Sequence, residues 1–372
     1  MKTRILIIGA TGSLGTQLLE IVSRYSDEFT IVGMTAHKNA EKLLELADQF
    51  EVPKIFLNTR RLDDLRAVSS PLEFFSDNLD QVFVLDHGLE SYHFVLESLV
   101  RQKRVCVANK ELMVVHGQDI MYLAKEQQAS VIPLDSEHNA LFQAIQGEHP
   151  ASVKRVILTA SGGPFRDKSY KELKNVTIEE VLKHPTWKMG AKTTVDSATL
   201  VNKGFEVIEA MNLFDLRQDQ IEIRLHPESI IHAIVEFTDG TSKMIAYPPD
   251  MRSSLGYALF FPQRAPENLV SEPSFFDYDQ PLHLEKIEEG RFPCLDFILK
   301  TASQKPECLK QLVENDERIV NDFLNHEIEF HDILEGLKEN ILGMSLSSLL
   351  EQEKESVLEN QKLKFDWLGS FG

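Results

Sequence analysis

The junction between Ile5-Leu6-Ile7-Ile8 and the turn Gly9-Ala10-Thr11-Gly12-Ser13-Leu14-Gly15 constrains this chain more than any other feature. Four consecutive apolar residues bounded by glycine read as a strand buried on both faces, and the amphipathic stretch Leu14–Arg24 beyond the turn reads as a helix. Glycines at 9, 12 and 15 let the backbone approach a diphosphate, while the helix N-terminus offers free N–H groups and a partial positive charge. The turn predicts a dinucleotide pyrophosphate site; a ligand-free strand-to-helix turn is the alternative for such a glycine trio.

The alternation continues. Thr30–Met34, Lys54–Leu57, Gln81–Leu85, Val105–Ala108 and Val131–Leu134 read as strands, separated by the helical patterns Ala40–Gln49, Glu90–Gln102 and Glu111–Gln128. Strand and helix in turn imply a mostly parallel, doubly wound sheet, so residues 1–130 are read as a Rossmann-like α/β domain. Further on, Arg155–Thr159 leads into Ser161-Gly162-Gly163-Pro164, and Ile230–Phe237 and Thr241–Tyr247 flank the hairpin signal Thr238-Asp239-Gly240. Residues 131–262 are read as a central α+β catalytic domain with a flexible loop. A stretch rich in Pro, Ser, Asn and Asp marks a linker at 263–282. Leu295, Ile298, Leu299, then Leu309, Leu312, Val313, then Ile333, Leu334, Leu337 recur at helical spacing, so 283–372 is read as a helical domain without strands.

The second strand bears on which dinucleotide is bound. An NAD site usually ends this strand with an acid on the ribose hydroxyl. Here Ile31-Val32-Gly33-Met34-Thr35 meets Ala36-His37-Lys38-Asn39, with no acid. His37, Lys38 and Asn39 suit a 2′-phosphate, which favours NADPH; a solvated loop accounts for them equally well. Overall, 39 Lys plus Arg against 58 Asp plus Glu give a net charge of −19, which disfavours nucleic acid and anionic membrane surfaces as partners. An anionic substrate then needs a local basic pocket. Cys106, Cys294 and Cys308 have no metal-ligand spacing, the first apolar run is too short for a signal peptide, and no later run spans a bilayer, so a cytoplasmic location is expected.

Three segments carry polar groups that chemistry can use. Asp135 and Glu137 flank Ser136 at the end of a strand and offer hard oxygen ligands for Mg²⁺ or Mn²⁺, although Asp, Ser and Glu also make an ordinary helix start. Thr199, Asn202, Lys203 and Glu206 share one helical face, which taken alone is a solvated face. The loop His184-Pro185-Thr186-Trp187-Lys188-Met189-Gly190 reads as a lid or as a structural loop pinned by its Trp.

Together the blocks GATGSLG at 9–15, ANKE at 108–111, PLDSEHNALFQ at 133–143, SGGPF at 161–165, HPTWKMG at 184–190, DSATLVNKGFEVIEA at 196–210, HPESIIHA at 226–233 and PDMR at 249–252 resemble the 1-deoxy-D-xylulose 5-phosphate reductoisomerase family. The resemblance implies NADPH- and metal-dependent rearrangement and reduction of a small phosphorylated sugar by a homodimer. It implies Asp135, Glu137 and Glu206 as metal ligands, and Lys110 and Ser136 at the hydroxyketone end of the substrate. Ser161, His184, Ser197, Asn202 and Lys203 then hold and position the phosphorylated substrate, under a flap carrying Trp187 and Met189. Cofactor contacts are implied at Gly9, Thr11, Gly12, Ser13, Leu14, Gly15, His37, Lys38, Asn39, Asn109, Glu111 and Gly190. The chain departs from the family pattern at Asp86-His87-Gly88-Leu89-Glu90-Ser91, and again at Glu314-Asn315-Asp316-Glu317, where Glu317 alone survives of an Asn- and Ala-rich motif. Other functions open to the residues are a simpler NADPH dehydrogenase of a phosphorylated metabolite and a non-catalytic NADPH sensor.

Overall fold

Six apolar runs become the strands of one parallel sheet in the computed structural model, which describes residues 2–76, 78–187, 189–270, 279 and 281–341. These are β1 (Thr3–Ile8), β2 (Phe29–Ala36), β3 (Ile55–Leu57), β4 (Gln81–Val84), β5 (Arg104–Val107) and β6 (Val131–Pro133), in the order β3-β2-β1-β4-β5-β6. Alternation along β1 shows why both faces are apolar: Ile5 and Ile7 enter one core, and Leu6 and Ile8 the other. The first core takes Leu18, Ile21 and Val22 of α1 (Ser13–Arg24) and Leu43 and Ala47 of α2 (Ala40–Gln49). The second takes Phe94, Val95 and Leu99 of α3 (Tyr92–Val100) and Leu112, Met113 and Ile120 of α4 (Lys110–Gln127). The boundary expected after residue 130 falls within this unit, since Val131, Ile132 and Pro133 pair with β5 as its edge strand.

A second, mixed sheet follows, built from β7 (Val153–Ala160), β8 (Ile221–Leu225), β9 (Ile231–Phe237), β10 (Ser242–Ala246) and β11 (Glu285–Lys286) in the order β10-β9-β7-β8-β11. The β9–β10 hairpin forms where Thr238-Asp239-Gly240 predicts it, with Gly240 at φ +86° and Phe237 N–H donating to the Thr241 carbonyl at 2.9 Å. Two strands differ from the expectation. β8 is not among the strands read from the sequence, although Ile221, Ile223 and Leu225 alternate with Glu222 and Arg224, and β11 lies in the segment read as wholly helical; Glu285 and Lys286 pair with Leu225 and Arg224 instead.

On this sheet pack α5 (Ser136–Ile145), and, after the short α6 (Ile178–Val181) and α7 (Ala191–Thr199), α8 (Val201–Phe214). α9 (Arg252–Phe260) returns to the first unit, where Leu255, Ala258 and Leu259 join the core of α1 and α2. The C-terminal helices α10 (Pro293–Gln304), α11 (Leu309–Leu324) and α12 (Asp332–Lys338) do not form a core of their own. Ile298, Leu312, Val313 and Ile319 share one apolar cluster with Val195 of α7 and Val201, Phe205 and Ile208 of α8. Of the expected linker, residues 271–278 and 280 lie outside the described residues, as do residues 342–372 of the expected helical domain. Among the described residues, no helix is long and apolar enough to cross a membrane.

Candidate functional site

A cleft of about 780 Å³ opens at the carboxyl ends of β1 and β4, where the strand order of the first sheet reverses, and runs to the second sheet. Such a switch point is where open α/β sheets bind ligands. Thr11, Gly12, Ser13 and Leu14 line one end of it. Gly9 sits at φ +84°, and a Cβ there would lie 2.8 Å from the Asp86 amide nitrogen, so the turn admits glycine alone. A Cβ on Gly15 would overlap the Ala10 carbonyl, which lets α1 pack directly against the end of β1. Gly12 caps α1 without a side chain, leaving its first-turn N–H groups to the cleft.

Beside this turn, His37 and Lys38 are exposed and line the cleft. Asn39 is placed differently: its Oδ1 accepts from Lys42 N–H at 3.1 Å and caps α2. Asn109 is likewise a cap. It is completely buried, its Oδ1 accepts from Leu112 N–H at 2.9 Å, and its Nδ2 donates to the Gly88 carbonyl at 2.8 Å. Two residues not singled out by the sequence belong here. Asn58, just past β3, lines the cleft, and Lys42 Nζ donates to the Thr11 carbonyl at 2.9 Å, bracing the glycine turn.

At the other end, three helix starts converge. Asp135 caps α5, with Ser136 and Glu137 in its first turn; Lys110 opens α4; Asn202, Lys203 and Glu206 lie on α8. Carboxylate oxygens of Asp135, Glu137 and Glu206 lie within 4.8 Å of one another. Lys110 Nζ is 2.8 Å from Asp135 Oδ2, and donates to Asn202 Oδ1 at 2.6 Å and Glu206 Oε1 at 3.2 Å. Lys203 Nζ donates to Glu137 Oε1 at 2.8 Å, to the Thr159 carbonyl at 2.5 Å, and to Glu206 Oε2. The face of α8 is not solvated: Lys203 is 3% and Glu206 1% exposed.

The electrostatics follow from this crowding. Burial works against the Lys110 ammonium, but Asp135, Glu206 and Glu209 outweigh it and hold its pKa well above the lysine value. Burial raises the Glu206 carboxyl, with Glu137 adding to the shift and Lys110 and Lys203 opposing it. For Asp135, burial is outweighed by Lys110 and His138, and its pKa is lowered. Behind the cluster, His138 Nδ1 lies 3.8 Å from both Asp135 and Glu209, and burial pushes the Glu209 carboxyl up to about 7.

Across the cleft, His184 Nδ1 accepts the backbone N–H groups of Trp187 at 2.8 Å and Thr186 at 3.2 Å. Its proton is therefore on Nε2, which faces Ser161 Oγ at 3.0 Å. Ser161 Oγ accepts that proton and the Gly163 N–H at 3.3 Å, which leaves its hydroxyl hydrogen to donate to an anion. Burial, then Arg166, lowers His184 to about 4, so the imidazole is neutral at pH 7. Behind Ser136, Tyr247 donates to its carbonyl at 2.7 Å and stacks on His232, with ring centroids 4.0 Å apart.

Three family models match the chain: 1-deoxy-D-xylulose 5-phosphate reductoisomerase over residues 5–78, its C-terminal domain over 131–214, and the DXP reductoisomerase C-terminal domain over 247–363. The 1-deoxy-D-xylulose 5-phosphate reductoisomerase of Thermoanaerobacter pseudethanolicus is 37% identical, covering 95% of this chain and 97% of its own length. The chain belongs to this reductoisomerase family. Among solved structures, the Zymomonas mobilis family member in complex with NADPH superposes with a TM-score of 0.84 at 29% identity, over 98% of this chain and 99% of that one. A DOX-P reductoisomerase in complex with NADPH, fosmidomycin and magnesium gives 0.83 at 30% identity, over 95% and 96%.

Lys110, Glu111, Asp135, Ser136, Glu137, Ser161, His184, Trp187, Met189, Gly190, Ser197, Asn202, Lys203 and Glu206 all line the one cleft. Lys203 faces the carboxylates and is not among the partners of the Ser161–His184 pair. Lys188 lies outside the described residues. His138 and Glu209 escaped the sequence reading, although each follows an expected ligand by three residues on a helix. Val313, Glu314 and Glu317 of α11, not expected in the site, also line the cleft.

Proposed function

We propose that this chain binds NADPH and a divalent cation in the cleft and converts 1-deoxy-D-xylulose 5-phosphate to 2-C-methyl-D-erythritol 4-phosphate. The observation that carries this reading is the meeting, in one cleft, of a pyrophosphate-type glycine turn and a cluster of three carboxylates from α5 and α8. The donor set fits Mg²⁺ or Mn²⁺: every ligand is a carboxylate oxygen, and the acidic groups outnumber the two ammonium groups of Lys110 and Lys203. The glycine turn fits a dinucleotide, because nothing but the backbone stands at Gly12.

When bound, the cation supplies Lewis acidity at the ketone and the nicotinamide supplies hydride. The protein's residues orient and neutralise. Lys110 and Lys203 stay protonated, fix Asp135, Glu137 and Glu206, and offer positive charge where an oxyanion develops. The Ser136 hydroxyl, held on Glu137 at 2.5 Å, and the Asn202 amide lie beside the hydroxyketone position. Ser161, with neutral His184 behind it, and Ser197 donate to the phosphate. Trp187 and Met189 cover that side of the cleft and limit water. Lys38 and His37 receive the 2′-phosphate, with Asn39 fixing the start of α2 behind them.

The reading includes a cytoplasmic homodimer. Supporting it are the three buried cysteines, and edge strand β10, whose outer backbone edge is unpaired among the described residues and whose half-exposed Met244 suits pairing with a second copy. A simpler dehydrogenase would leave the carboxylate cluster without a task. The test is NADPH loss on addition of 1-deoxy-D-xylulose 5-phosphate, with and without Mn²⁺. Oxidation needing both supports the proposal; oxidation undiminished in EDTA refutes the metal site.

A further inference from the structure

One side chain of the cleft wall is held by the C-terminal helices. Lys192, in the first turn of α7, lines the cleft, and its Nζ donates to Asp316 Oδ2 of α11 at 2.5 Å and to Asp196 Oδ2 of α7 at 2.7 Å; Glu111 Oε1 of α4 lies 3.6 Å away. One ammonium thereby ties three helices together. Asp316 is completely buried, and its second oxygen, like Asp196 Oδ1, finds no hydrogen-bond partner among the described residues.

α7 needs such a tie. Its second half is buried, with Val195 and Ala198 in the apolar cluster, but its first turn is not, and Gly190 caps it without a side chain. Yet Gly190, Lys192, Asp196 and Ser197 along it face the cleft, so the placement of α7 sets part of the cleft wall.

We propose that Asp316 is a positioning residue for the reaction: by holding Lys192 it fixes the first turns of α7, and with them Asp196 and Ser197, against the cleft. The proposal rests on the functional reading above. It requires one acceptor at position 316 rather than a charge, since Asp196 and Glu111 remain as counter-charges for Lys192. Burial and the neighbouring Asp196 push the Asp316 carboxyl up, with Lys192 opposing.

The experiment compares full-length wild type with Asp316→Ala, Asp316→Ser and Asp316→Asn. Ser leaves a polar group in the buried site but falls short of Lys192, and serves if the Ala variant does not fold. In the Ala and Ser variants kcat falls by about 10- to 100-fold through misplacement of α7. Amides of residues 192–197 exchange about ten-fold faster in those variants. Asp316→Asn restores both kcat and exchange. Folded Ala or Ser variants with wild-type kcat and exchange overturn the proposal, as does an Asn variant as defective as Ala. If wild type itself fails to oxidise NADPH with substrate, the functional reading is at fault, and the exchange rates still decide whether Asp316 holds α7.

Discussion

Replacing Glu206 by Gln separates metal binding from folding. Glu206 is 1% exposed and its carboxylate faces Lys110, Asn202 and Lys203. The amide keeps one acceptor oxygen, for Lys110 and Asn202 or for Lys203, and Asp135, Glu137 and Glu209 still balance the two ammonium groups. The apo variant is therefore expected to fold, without the loss of about 3–5 kcal/mol that follows when a buried charge is left unpaired. Its metal site loses one of three anionic ligands. At free Mn²⁺ equal to about 100 times the wild-type Kd, binding stabilises wild type by about 2.7 kcal/mol; a 100-fold weaker site would gain only about 0.4 kcal/mol at the same concentration. Thermal unfolding with and without Mn²⁺ reads this difference as a clear upward shift in Tm for wild type and almost none for Glu206→Gln. An equal Mn²⁺-induced shift in both proteins would refute the assignment of Glu206 as a ligand.

Other perturbations test the rest of the cleft. Gly9→Val places a branched side chain at φ +84°, against the Asp86 amide, and is expected to abolish NADPH binding measured by fluorescence titration, whereas intact binding would remove the turn from the site. Lys38→Glu reverses the charge beside the expected 2′-phosphate; NADPH affinity should fall by about 10-fold or more with NADH affinity little changed, as measured by paired titrations. His184 has a folded pKa lowered to about 4 from 6.5, so the unfolded chain binds the extra proton first as pH falls. Its contribution to stability is fully present above pH 6.5 and is lost progressively toward pH 4; urea unfolding of His184→Asn should show a shallower fall between pH 7 and pH 5 than wild type.

Much of the first unit was legible in the sequence because its signals are local. Gly9 and Gly15 mark the turn, Ile5–Ile8 mark a strand covered on both sides, and Thr238-Asp239-Gly240 mark the hairpin. Tertiary partners decided the rest. β8 alternates apolar and polar over only five residues, Ile221 to Leu225, and β7 supplies the ladder that makes it a strand, while Glu285 and Lys286 gain strand geometry from pairing with Arg224 and Leu225. Lys203 and Glu206 looked like a solvated face, and only the packing of that face of α8 against α4, α5 and β7 buries them. Asn39 and Asn109 sit where cofactor contacts were expected, but the same position begins a helix, and the cap claims their side chains. Nothing near Asp316 in the sequence announces Lys192, which is 124 residues away.

The product decides whether this cleft rearranges a carbon skeleton before reducing it. Incubation with 1-deoxy-D-xylulose 5-phosphate, NADPH and Mn²⁺, followed by NMR of the product, should show the branched 2-C-methyl-D-erythritol 4-phosphate, and none when EDTA replaces Mn²⁺. A straight-chain deoxypentitol phosphate, formed by direct reduction of the ketone, would contradict the account.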